Sequence, residues 1–106
     1  MVLAISTRGP RRSVDRVPSY LVETFLARGD TPQRAARERR ARSIAEELER
    51  SGVEVRFSGA IHIPEDEICF FVFDAPSSRV AAIAATRAEL DPFRVVEAVT
   101  SRKENA

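Results

Sequence analysis

The chain has a single histidine and a single cysteine, His62 and Cys69, on either side of a polar turn at 64–67. The stretch from 53 to 74, VEVRFSGAIHIPEDEICFFVFD, reads as two strands and the connection between them. A four-residue connection, Pro64, Glu65, Asp66 and Glu67, pairs Ile63 with Ile68, Ile61 with Phe70 and Gly59 with Val72. It also puts His62 opposite Cys69, with Cβ atoms about 4.5–5.5 Å apart. A three-residue loop would bring Ile61 opposite Cys69 and mix the two faces, so the first register is preferred.

A cross-strand His–Cys pair can ligate one soft or borderline metal at roughly 2.0–2.3 Å, and nickel, zinc and copper are the candidates. The metal set would be His62, Cys69 and Glu23, or Glu97 in place of Glu23, and a dimer would double the donors. One His and one Cys make no recognised ligand motif, and a half-buried histidine beside an inert cysteine is the favoured alternative. Nucleophilic catalysis by the same pair needs a lowered thiol pKa and an oxyanion donor, and a mid-strand cysteine has neither. Glu23 and Glu97 fall mid-strand among apolar residues, where charge is costly unless partnered. Pairing with Arg56 or Arg37 is preferred over an acid/base role in a pocket or exposure near an edge.

A length of 106 residues suits one domain, and 43% apolar with 31% charged residues are globular values. No run of about 18 apolar residues is present, which excludes a membrane-spanning helix of ordinary length. One cysteine excludes an internal disulfide framework and makes a reducing cytoplasm the default location. The formal charge is +1, and the basic side is almost all arginine, Lys103 being the lone lysine. Residues 1–17 carry Arg8, Arg11, Arg12 and Arg16 without periodicity and read as a flexible basic tail. An apolar start followed by arginines reverses the order of a signal peptide. A nucleic-acid arm is disfavoured, because one tyrosine and no tryptophan leave no stacking platforms among the basic residues. The domain spans 18–100, and 101–106 is a polar tail.

The elements that must position these residues follow from periodicity. Residues 19–28 alternate as a strand. Thr31 caps a helix with Pro32 in its first turn, and Gly52 stops it after about Ser51. Ala41, Ile44, Ala45 and Leu48 share its apolar face. Arginines crowd its first half and glutamates its second, against the helix dipole, with pairs expected at Glu38–Arg42 and Glu46–Arg50. Strands at 53–63 and 67–73 follow, then a helix over 78–89 with Val80, Ile83, Ala84 and Arg87 on one side. Asp91 and Pro92 break it before a last strand at 93–100. The order β-α-β-β-α-β predicts an α+β, ferredoxin-like domain with an antiparallel sheet in order 4-1-3-2 and both helices on one face.

Alternation assigns each strand residue to a face. One phase, Tyr20, Val22, Thr24, Val55, Phe57, Gly59, Ile61, Ile63, Ile68, Phe70, Val72, Arg94, Val96 and Ala98, is expected under the helices. The other mixes Leu21, Phe25, Phe71, Phe73, Phe93 and Val95 with Glu23, His62, Cys69 and Glu97. So much apolar surface on an uncovered face marks an interface, and with no third layer in the chain the expected cover is a second copy. The result would be a homodimer with sheets face to face.

Several segments in order, Tyr20 to Glu23, Gly59 through Glu67, Phe70 to Phe73, Ala75 to Ser77 and Phe93 to Val99, resemble a family of small bacterial proteins of unknown function described as nickel-binding-like. The likeness spans about residues 19–99. Glu23, Pro64, Asp66 and Glu67 fit its pattern, whereas His62 and Cys69 stand where it tends to have aliphatic residues. The resemblance implies a ferredoxin-like protomer, a dimeric α+β barrel and, for some members, nickel binding. The expected function is a non-catalytic dimer holding a small ligand or a metal such as nickel between sheet faces, with Glu23, His62 and Glu97 as ligand-binding residues. The alternative is a small cofactor-free enzyme, an oxygenase, isomerase or cyclase, using Glu23, His62 or Glu97 as base.

Overall fold

The chain forms β1 (Ser19–Phe25), α1 (Thr31–Arg50), β2 (Arg56–Ile63), a 3-10 turn (Pro64–Asp66), β3 (Ile68–Asp74), α2 (Ser78–Arg87) and β4 (Arg94–Ala98). The computed structural model describes residues 17–99. The basic segment through Arg16 and the C-terminal tail from 100 onward lie outside the described residues. The strands make one four-stranded sheet in order β2-β3-β1-β4, antiparallel throughout. Helix α1 packs on β2 and β3, α2 on β1 and β4, and the helices touch each other. This is the ferredoxin-like α+β architecture expected from the element order.

Local chemistry explains the boundaries and two departures from expectation. Asp30, not Thr31, caps α1: its Oδ1 accepts from Gln33 N at 3.1 Å, leaving Thr31 as the first helical residue. Glu38 pairs backward with Arg34 at 3.3 Å rather than forward with Arg42, whose guanidinium lies 5.1 Å from the Phe57 ring centroid. The C-terminus of α2 is closed by Arg40, whose Nε and Nη2 donate to the carbonyls of Ala88 and Glu89 at 2.8 and 3.1 Å. The polar turn between β2 and β3 closes with Glu67 in the left-handed region at φ 54° and its N–H donating to Pro64 O at 3.0 Å.

The β2–β3 register is the expected one: Ile63 opposes Ile68, His62 opposes Cys69, Ile61 opposes Phe70 and Gly59 opposes Val72. The assignment of faces needs correction. Cys69, Phe71 and Phe73 point under the helices and are fully buried, so the phase containing Ile68, Phe70 and Val72 faces outward. An irregularity between Phe57 and Gly59 inserts Ser58 into β2. Phe57 therefore stays in the core while Ala60 and His62, rather than Ile61 and Ile63, continue beneath the helices. On β4, Val95 packs against the core and Val96 turns away.

The packed layer pairs large side chains on the sheet with small ones on the helices. Phe57, Phe71 and Phe73 meet Ala41, Ala45 and Leu48 of α1 and Ala81, Ala84 and Ala85 of α2. The α2 face differs from expectation, since Ile83 is 42% exposed and Ala81 and Ala85 are inside. Alanines let the helices sit close on the aromatic sheet. Each fully buried Phe contributes about 2–3 kcal/mol of transfer free energy.

Candidate functional site

The sheet separates the chemistry-bearing residues onto two faces. On the covered face, His62 stands opposite Cys69, and Thr24 of β1 is the neighbour of Cys69 on its other side. The Thr24 hydroxyl donates to Cys69 O at 2.9 Å. Arg37 of α1 donates through Nη1 to Phe25 O at 2.8 Å and to Thr24 Oγ1 at 3.4 Å. Burial pushes the Cys69 thiol up to about 11, outweighing the downward pull of Arg34 and Arg37 and joined by a smaller upward push from Glu38. A thiol held protonated is a poor nucleophile and a poor metal ligand at neutral pH.

On the open face, Glu23 of the central strand β1 is only 9% exposed. Its register neighbours are Phe70 on β3 and Arg94 on β4. Arg94 Nε donates to Glu23 Oε1 at 3.1 Å, with side-chain exposures of 64% for Arg94 and 12% for Glu23. An arginine partner for Glu23 is thus found, but it is Arg94 rather than Arg56 or Arg37. Around this ion pair the open face carries Leu21, Ile61, Ile63, Phe70, Val72 and Val96, with Phe25 at its rim, while Ser19, Asp74 and Arg56 make its far end polar.

Glu23 therefore cannot join His62 and Cys69, because the sheet lies between them. Glu97 belongs to the covered-side alternation, opposite Tyr20, yet is exposed at the edge strand. Among the described residues no group of three His, Cys, Asp or Glu side chains could hold a metal ion. The expected set of His62, Cys69 and Glu23 does not fit a nickel, zinc or copper ion within one protomer.

Sequence reasoning missed Arg34, Arg37 and Thr24 as neighbours of Cys69, and Arg94 as the partner of Glu23. The i, i+3 spacing of Arg34 and Arg37 on α1 was the available signal for the first two. A shallow open groove of about 330 Å³ runs along the β2 edge between Arg42, Glu46, Glu49, Val55, Arg56 and Phe57. Its mixed charges and aliphatic floor single out no ligand chemistry. No helix among the described residues is long and apolar enough to cross a membrane. In comparisons with known proteins, no family model, no curated sequence and no solved structure matches this chain.

Proposed function

We propose that the protein acts as a homodimer that packs its two open sheet faces together and holds a small, mainly apolar molecule with one polar group against the Glu23–Arg94 pair. The observation that carries this reading is a nearly buried carboxylate, ion-paired among the apolar side chains Leu21, Phe70, Val72 and Val96 of an uncovered sheet face. Four strands at about 4.8 Å spacing and about seven residues of about 3.3 Å rise give a footprint of roughly 440 Å². Phe25, Ile61 and Ile63 stand out from that face and add to the area it can bury against a second copy. A two-fold contact is self-complementary, so each exposed Arg94 guanidinium can also reach the partner's Glu23. Ion pairs in the middle of such an interface keep it from closing as a uniform dry layer, leaving polar groups to orient a ligand. The reading is non-catalytic and needs no metal.

Sedimentation equilibrium at micromolar concentration tests the first half: the expected mass is twice the 11.8 kDa of the chain. Phe70→Asp, which places a charge in the proposed interface, should give a folded monomer. A wild-type monomer at tens of micromolar would overturn the dimer. Native mass spectrometry of the dimer after incubation with a panel of small amphipathic acids and alcohols tests the second half. Retention that Arg94→Ala abolishes is expected, and a dimer that retains none of them removes the ligand role.

A further inference from the structure

The open face changes polarity along a single cross-strand row. Arg94 on β4 opposes Glu23 on β1, Glu23 opposes Phe70 on β3, and Phe70 opposes Ile61 on β2. The row runs from a cation through a carboxylate and an aromatic ring to an aliphatic side chain that is 51% exposed. Strand spacings of about 4.8 Å make it roughly 14 Å long. Val96, Leu21 and Val72 form the next row and wall it on one side.

The polar end of the row is incompletely bonded. Arg94 gives only its Nε–H to Glu23, on Oε1 at 3.1 Å. The terminal nitrogens of Arg94 and the Oε2 of Glu23 have no hydrogen-bond partner among the described residues. Arg94 is largely exposed, and Glu23 Oε2 is not among the buried atoms that lack a partner, so both meet solvent. The pair thus presents donors and an acceptor side by side with no net charge. A two-fold copy adds another glutamate and another arginine, and the sum stays zero. The other charged residues of the face, Arg56 and Asp74, stand opposite each other at its far end.

We infer that the polar group of the bound molecule is an uncharged carboxamide, carried on an apolar body that lies across the strands. This rests on the ligand-holding dimer proposed above and names the class of molecule held. The amide N–H donates to Glu23 Oε2 while its carbonyl accepts from a terminal nitrogen of Arg94. The body then lies over Phe70 and Ile61, along the apolar half of the row. A carboxylate head would meet Arg94 but face Glu23, and an ammonium head would meet Glu23 but face Arg94. Either brings an unbalanced charge between two sheets, with its desolvation cost. A hydroxyl is neutral but has one atom to serve both bonds.

Isothermal titration calorimetry of the full chain with hexanamide, hexanoate, hexylamine and hexan-1-ol, at neutral pH and fixed ionic strength, tests the head group on one common tail. Hexanamide should bind about tenfold more tightly than hexanoate or hexylamine, the factor expected for one charge left without a partner. Glu23→Gln leaves Arg94 uncompensated and should turn the preference toward hexanoate. Arg94→Leu leaves the carboxylate uncompensated and should turn it toward hexylamine. A purely structural role of the pair would instead lower every affinity together. Circular dichroism confirms that each variant is folded. Hexanoate, hexylamine or hexan-1-ol binding the wild type as tightly as hexanamide, or an unchanged order of preference in a folded variant, overturns the carboxamide and leaves the ligand-holding dimer standing. A wild-type dimer that binds none of these molecules removes the ligand reading itself, and the carboxamide with it.

Discussion

Phe70 and Phe71 are chain neighbours on opposite sides of the sheet: Phe71 is wholly buried beneath the helices, while Phe70 is half-buried on the open face beside Glu23. Truncating them should therefore have different consequences. Phe71→Ala opens a cavity among Val22, Phe57 and the helix alanines and should cost about 3–5 kcal/mol in urea unfolding. Phe70→Ala should cost the isolated fold less than about 1.5 kcal/mol and act mainly on self-association. Equal losses would mean that the faces are assigned wrongly.

The Glu23–Arg94 pair should behave asymmetrically. Arg94→Ala leaves a nearly buried carboxylate without its partner and should destabilise the chain by about 1 kcal/mol, discounted because Arg94 is largely exposed. Glu23→Leu removes the charge and fits the apolar face, so its stability should match or exceed wild type. A double-mutant cycle by chemical denaturation checks both.

Cys69 should resist thiol reagents in the native state and react at the rate of unfolding. Its folded pKa lies near 11 and its ordinary value near 9.0, so the folded chain holds the thiol proton more tightly. Between these values the unfolded chain has lost the proton that the folded chain keeps. Stability from this group is therefore complete below pH 9 and declines as pH rises through about 11. Cys69→Val should flatten that alkaline decline in thermal melts recorded from about pH 8 to about pH 10.5.

Gly59 sits at the β2 irregularity with φ 146°, a backbone conformation that L side chains rarely adopt, although an added Cβ would meet no atom within 4 Å. Gly59→Ala should thus destabilise by backbone strain rather than by collision, by about 1–3 kcal/mol in equilibrium unfolding. Gly59→Val, whose branched Cβ narrows the backbone further, should cost more than Gly59→Ala. If alanine is neutral here, the irregularity can shift and does not pin the phase of His62.

Element order, strand order and the His62–Cys69 register were legible in the sequence, because they follow from local signals. Pro32 and Gly52 bracket a helix, a four-residue polar connection sets one hairpin register, and Asp91–Pro92 breaks a second helix. The faces were not legible. Phe70, Phe71, Val72 and Phe73 are apolar in both phases, so alternation carries no contrast there, and Ser58 gives no local sign that it is an extra residue in β2.

Tertiary packing settled what the sequence left open. The space above the sheet is filled by Phe71, Phe73 and Cys69 against close-lying alanines, and one inserted residue carries His62 to that side while Glu23 stays on the other. The candidate site divided for the same reason. Which residues share a strand is a property of the chain, but which side of a sheet they occupy depends on the layer that packs against it.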